Sequence, residues 1–277
     1  MKKKIILLGI TLYLIFIFTF NKEIKLILEE MTDIYFSTYI ACLFPFIFLI
    51  NLFLSTNYLI DICKKLKKAP FLFDIFIILL IILIGIPGNV SLIKYLEDSK
   101  IISKQKKDNL VNNFLGISFP FYYFVILQNH PLKNLIIFIL LGSNLVLYLL
   151  SNYKESPKQI NALEIKINPI IKTGISLYSI LFSLLLFSTF TIIPKMFFKG
   201  ETLFFINSLI EFSYNLISLS KIETLPGILL LLFSLSFTSC SLILQIKLSD
   251  NSVNIMQYIK RRFIIALINT ITIFLFL

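Results

Sequence analysis

A few polar side chains stand inside otherwise apolar runs, and their types suit the recognition of a small polar solute. Glu211, Ser213 and Asn215 sit in "LIEFSYN", and Ser236, Ser239, Ser241 and Gln245 sit in "SFTSCSLILQ". Earlier in the chain, Gly85, Pro87, Gly88, Asn89 and Ser91 interrupt the run "LIGIPGNVSLI". Glycine frees φ, proline withdraws a backbone donor, and asparagine bonds exposed backbone. A helix broken this way presents free N–H groups, and the positive end of a helix favours an anion. Irregular backbone at membrane depth is tolerated only beside protein or a water-filled cavity, and broken helices mark substrate sites in many transporters. These positions are the candidate solute-binding set. Plainer roles compete: Asn89 and Ser91 suit a helix cap, the serines suit helix packing, and Glu211 suits an interfacial helix.

Other chemistry finds little support. Cys42, Cys63 and Cys240 are far apart and lack metal spacing, so they read as small packing residues. His130 lies in the polar link "QNHPLKN" with no second histidine or paired carboxylate nearby. No H-E-x-x-H, G-x-S-x-G or ATP-binding loop occurs. No metal, cofactor or enzymatic role is expected. Glu97, Asp98 and the lysines after them read as a solvated loop helix. Asp74 reads as interfacial, close to Lys67 and Lys68.

The elements that position the set are membrane helices. Hydrophobic residues make up 57% of the chain, and mean hydropathy is +0.90. Ile5–Phe20, Phe71–Ile84 and Leu225–Phe237 carry almost no charge. Such runs cannot all hide in one soluble core, and in lipid the backbone must bond internally, which selects helices. Strict alternation, the mark of a β-barrel, is missing. The net charge of +11 comes from lysines at the ends of apolar runs, which points to topology and anionic lipid headgroups rather than nucleic acid. Met1–Lys4 followed by Ile5–Phe20 lacks a small-x-small cleavage site, so an uncleaved first helix with a cytoplasmic N-terminus is expected.

Lysine clusters flank Phe71–Ile93 on both sides. A dip into the membrane that returns would keep both clusters inside; a kinked crossing is the alternative. Leu110–Leu127 and Leu132–Leu150 can each span, and Ser151–Lys172 is the most polar stretch. The two halves echo one another, each with a long helix, an apolar run broken by small residues, a polar stretch and a further helix. The expected fold class is all-α: a polytopic helical membrane protein of about six to eight segments. Two inverted repeats are expected, each with a broken or re-entrant segment. The expected boundaries are 1–30 for the first helix and connector, 31–150 for the first repeat, 151–172 for a cytoplasmic linker and 173–277 for the second. Lys260, Arg261 and Arg262 strain this scheme. A re-entrant Leu225–Ile246 leaves them outside, whereas a full crossing keeps them inside.

The order of segments resembles the YlbJ family of sporulation membrane proteins, which carry nucleoside-recognition (Gate) regions. The likeness rests on Gly85, Pro87 and Leu92, then "KIISKQKKDN", then Phe114 and Pro120. It continues with Glu211 and Ser213, with Ser236, Phe237, Ser241 and Gln245, and with the pair Tyr258 and Arg262. It covers roughly residues 35–277. The chain departs from the family pattern at Ile86, Asn89, Ser91, Gly116 and Thr238–Ser239. The resemblance implies transport of a small anionic or heterocyclic solute such as dipicolinate, in a bacterial cell or forespore membrane. Ser91 replaces a basic residue, which weakens an anion site because a charge-assisted bond is about twice as strong as a neutral one. The rival expectation is a non-transporting scaffold that keeps the fold without the pocket. Partners are expected to be the solute, membrane lipids, and a second copy or another membrane protein.

Overall fold

A computed structural model describes residues 2–56, 58–151 and 168–277; the side chains of 2–6, 213 and 214 lie outside that description. Most of the expected polar linker, 152–167, lies outside it too. Every regular element among the described residues is helical. Four helices are long and apolar enough to cross a membrane: Asn21–Ser55, Lys133–Leu150, Pro169–Lys195 and Leu225–Ser249. Large apolar side chains such as Phe138, Phe197 and Leu150 face outward and exposed, as an all-helical membrane protein requires.

The boundary expected at residue 30 falls inside a continuous helix, since Asn21–Ile34 runs through a π-helical turn, Tyr35–Tyr39, into Ile40–Ser55. Likewise the linker expected to end at Lys172 gives way at Pro169, where Asn168 caps a new helix by accepting from Ile170 N–H at 2.9 Å.

The run after Pro70 is broken. Pro70–Ile84 stops at Gly85 (φ 70°, ψ 175°), and Gly88–Asp98 starts afresh three residues on. Of the lysines beyond, Lys100 and Lys104 are exposed but the next two are not. Ser103 caps Lys104–Phe114, whose Lys106 and Lys107 are buried. Lys106 pairs with Asp74, and Lys107 with Glu97 at 2.6 Å. An unbroken helix would hold residues 74 and 97 ~35 Å apart, beyond the reach of two adjacent lysines. The segment Pro70–Asp98 therefore folds back on itself, and both of its ends lie together. Asp74 is held there by Lys106 and by the Tyr148 hydroxyl, at 3.0 Å.

The helix Lys133–Leu150 fixes the two ends of the molecule. Tyr148 marks the Asp74 end, and His130 precedes the other, ~27 Å away. His130 is buried rather than solvated, its Nδ1 accepting from Leu132 N–H at 3.1 Å. Burial lowers the affinity of that imidazole for a proton, and Glu223 nearby partly opposes the effect. Leu225–Ser249 thus starts beside Glu223 at the His130 end. It finishes at Asp250, whose carboxylate meets Lys107 at 2.6 Å at the Asp74 end. Unlike Pro70–Asp98, it runs the length of the molecule, with a break at Thr238 and Ser239.

Thr238 takes φ 88° and ψ 176°, almost the conformation of Gly85. That region is essentially restricted to glycine, and a β-branched residue in it is strained. Thr238→Gly should therefore stabilise the protein by about 1 kcal/mol, the relief of strain outweighing glycine's greater freedom when unfolded. A higher midpoint of thermal unfolding in detergent checks this; a lower one shows that the threonine side chain contributes more than its backbone costs.

Within lipid, interhelical polar contacts and packing hold helices together, each hydrogen bond contributing about 0.6 kcal/mol. Asn51 Nδ2 donates to Thr173 Oγ1 at 3.0 Å, Ser208 Oγ to Ser234 Oγ at 2.8 Å, and Asn269 Nδ2 to Ser236 Oγ at 2.8 Å. The last helix runs Ile255–Phe276 from an Asn254 cap that accepts from Gln257 N–H at 3.1 Å. Arg261 and Arg262 therefore lie within a helix rather than ahead of one.

Candidate functional site

Four interruptions meet at the centre of the molecule. The first is the tip Gly85–Pro87. The second, Leu115–Ser118, divides Lys104–Phe114 from Phe119–Ile126, so the span expected over Leu110–Leu127 is itself broken. The third is Glu211–Phe212, between Gly200–Ile210 and Ser213–Leu219. Thr224, just past this second pair of helices, donates to Glu201 at its start at 2.6 Å, so the pair also folds back. The fourth is Thr238–Ser239.

Contacts between these breaks are close. A Cβ on Gly85 would lie 2.6 Å from Ser118 Oγ, and one on Gly116 would lie 2.6 Å from Thr238 Cγ2. Glycine is needed at both for that reason, and at Gly85 also for its positive φ. Tyr122 ties the second break to the fourth: its hydroxyl lies 2.6 Å from the Gly116 carbonyl and 3.2 Å from that of Leu235. Its ring packs on Phe212 of the third, with centroids 5.7 Å apart.

Between the breaks lies a hollow of about 40 Å³. At the ~10–15 Å³ that one water needs, it holds on the order of three. Ile86, Gly116, Ser118, Tyr122 and Phe212 form part of its wall, and Glu211, Ser241 and Gln245 supply polar groups. Glu211 is 1% exposed, a carboxyl group carried into the interior.

Of the residues picked out in the sequence, Glu211, Ser241 and Gln245 line the hollow. Gly85 and Pro87 flank Ile86, which lines it, and Gly88 packs behind them against Ile84. Asn89 is turned away: its Nδ2 donates to the Leu115 carbonyl at 3.0 Å and buttresses the second break. Ser91 is half-buried on the following turn. Ser239 Oγ meets Ser241 Oγ at 2.8 Å, Gln245 Nε2 donates to Ser183 at 2.7 Å, and Ser236 is held by Asn269. Asn215 bonds the Glu211 carbonyl at 3.4 Å. The Ser213 side chain lies outside the described residues.

The helix starts are less open than expected. Asn89 N–H and Ser91 N–H already bond the Gly85 and Pro87 carbonyls at 2.9 and 3.3 Å, and Ser239 Oγ accepts from Leu242 N–H at 3.3 Å. These two starts are tied to their own turns, Ser239 through its side chain, because an uncapped N-terminus at this depth has no water to bond. The polar groups that face the hollow are therefore side chains.

Sequence reasoning missed Ser118 and Tyr122, which sit in what reads as one apolar run. Gly116 and Arg262 entered only through the resemblance, and neither was placed in the solute-binding set; Arg262 lies behind Gly116. Among the described residues no group of three or more His, Cys, Asp or Glu side chains converges as metal ligands do.

Fold and site together define an all-helical membrane protein with interrupted helices around a buried polar hollow. No protein family, curated protein or solved structure matches the chain.

Proposed function

We propose that the chain passes a small solute, anionic or heterocyclic, across a membrane, with the central hollow as its binding point. One observation carries the reading: four breaks in membrane-length structure meet around Glu211, Ser241 and Gln245, where polar side chains and irregular backbone are costly unless used.

The same reading gives the two halves an inverted relation. The hairpins Pro70–Asp98 and Gly200–Leu219 enter from opposite sides. The broken crossings Lys104–Ile126 and Leu225–Ser249 run in opposite directions, and Lys133–Leu150 and Ile255–Phe276 follow them. On this scheme the counterpart of the Gly85 tip is Glu211–Phe212, not the Thr238 break, which pairs with Leu115–Ser118. Lys260 to Arg262 then stay on the side of the other lysine clusters, which is the cytoplasmic side by the positive-inside bias. The conflict in the linear reading disappears. Such inverted repeats, with a site at midplane between discontinuous helices, are a common transporter layout. The membrane is read as a bacterial cell membrane, the N-terminus as cytoplasmic, and the lysine clusters as contacts for anionic headgroups.

Accessibility tests it. In a chain whose Cys42, Cys63 and Cys240 are replaced by serine, single cysteines at Ser118 and Ser241 should react with membrane-impermeant maleimide, and dipicolinate or a related heterocyclic carboxylate should slow the reaction. Uniform inertness from both sides, with normal protein levels, removes the passage reading. It favours the scaffold alternative, which the small size of the hollow also suits.

A further inference from the structure

The last helix carries a charge that no carboxylate among the described residues pairs with. Arg262 is fully buried, at 0% exposure. Its Nη1 donates to the Asn113 carbonyl at 3.1 Å and to Asn144 Oδ1 at 3.0 Å. Both partners are neutral. Its Nε and Nη2 have no partner among the described residues, and no carboxylate there forms an ion pair with it. A buried guanidinium left this way is strongly unfavourable. Ionisable groups within membrane helices otherwise pair or face a cavity.

The two free nitrogens are not scattered. Nε–H and the neighbouring Nη2–H point to the same side of the planar group and form the fork that matches the two oxygens of a carboxylate. The fork lies close to the hollow. Gly116 lines the hollow, and a Cβ there would stand 3.2 Å from Arg262 Nη2. Arg262 is not itself part of the wall: Gly116 stands between them, and Thr238 Cγ2 and the Tyr258 hydroxyl, 2.6 and 3.1 Å from the same Cβ position, share that flank.

We propose that Arg262 binds one carboxylate of the solute side-on, through parallel hydrogen bonds from Nε–H and Nη2–H. This rests on the passage reading above and narrows its substrate class. The wall of the hollow offers no further cation for a second carboxylate, whereas Ser241 and Gln245 suit a neutral hydrogen-bonding body. The solute is thus a small monocarboxylate with a polar, uncharged remainder. At about 40 Å³ the hollow must widen to admit it.

Purified full-length protein in detergent, tested with pyridine-2-carboxylate and its neutral isostere pyridine-2-carboxamide, decides the matter. The carboxylate should bind ~10–100-fold more tightly than the amide, the range for a hydrogen bond to a charged group. Arg262→Lys keeps the charge but removes the fork and should lose most of that preference. Arg261 and Arg262 are the only arginines in the chain. In ¹⁵N-arginine-labelled Arg261→Lys protein a single Nε–H resonance therefore reports on Arg262, even where its own substitution prevents folding. That resonance should move with the carboxylate and not with the amide. Equal affinity for the two ligands, a preference undiminished in folded Arg262→Lys, or an Nε–H signal unmoved at saturation each overturns the assignment. Uptake into proteoliposomes separates the two readings. Binding at Arg262 without uptake removes the passage function and leaves the carboxylate site. Uptake of both ligands alike does the reverse.

Discussion

Replacing Gly85 by alanine is expected to destabilise the protein by about 2–4 kcal/mol, combining an unfavourable backbone with an overpacked contact. The residue holds φ 70°, where a side chain is strained, and the added Cβ would meet Ser118 Oγ at 2.6 Å and Ser118 Cβ at 2.9 Å. The two costs can be separated. Ser118→Gly removes both clashing atoms, so in that background Gly85→Ala should lose roughly half its effect, leaving the φ term. Thermal unfolding of the four purified variants in detergent provides the cycle. If the penalty is the same with and without the Ser118 side chain, the first and second breaks do not touch as described, and the hollow loses one wall. A larger residue, valine, should leave no folded protein to purify.

Lys107→Met should cost about 3–5 kcal/mol, the range for breaking a buried ion pair from one side. Lys107 and Asp250 expose only 4% and 3% of their side chains. Lys107 also meets Glu97 at 2.6 Å and the Ser252 hydroxyl at 2.7 Å. Burial alone would lower the Lys107 proton affinity, but the bonds to Asp250 and Glu97 outweigh it and raise the ammonium above its usual range. Burial alone would raise the Asp250 carboxyl, but the bonds from Lys107 and Ser252 outweigh that and depress it. The sign follows from linkage. The Asp250 contribution is complete above the unfolded carboxylate value, ~3.9, and fades as pH falls through the lower folded one. The Lys107 contribution is complete below ~10.4 and fades as pH rises through the higher folded value.

In Lys107→Met Asp250 loses the partner that most lowers its proton affinity, leaving only Ser252 against the effect of burial. The stability gap between wild type and variant should be widest near neutral pH and narrow in acid, closing only once Asp250 is protonated in both proteins, below its depressed folded value in the wild type. Lys107→Met with Asp250→Asn should recover part of the loss. A gap that does not vary with pH would show that the lysine acts through packing alone. Because this pair pins the Lys104–Phe114 helix to the end of the Leu225–Ser249 crossing, its loss should also speed maleimide labelling of a cysteine placed at Ser241 from the Asp74 end. Unchanged labelling in a folded variant would mean the contact does not keep that side closed.

The wall of the hollow was partly legible before any tertiary structure. Glu211, Ser241 and Gln245 stand out because polar groups in apolar runs need a reason to be there. Gly85 to Gly88 stand out because such residues end helices. Gly116 and Tyr122 carry no comparable mark: one is small, the other aromatic, and both are ordinary in membrane helices. Asn89 looks like a lining residue in one dimension, yet it bonds the Leu115 carbonyl. Its partner lies 26 residues away, and no local rule selects it.

Composition and unbroken apolar runs alone determined an all-helical membrane protein with a helix interrupted at Gly85, because lipid leaves the backbone no other partner and glycine with proline cannot continue a helix. Tertiary structure alone decided that Pro70–Asp98 doubles back while Leu225–Ser249 runs through, and that Arg262 lies beside the hollow with half its guanidinium unused. Those outcomes depend on which distant groups pair, Asp74 with Lys106 and Asp250 with Lys107. Such pairings are set by the packing of whole helices, and neither residue spacing nor charge pattern along the chain encodes them singly.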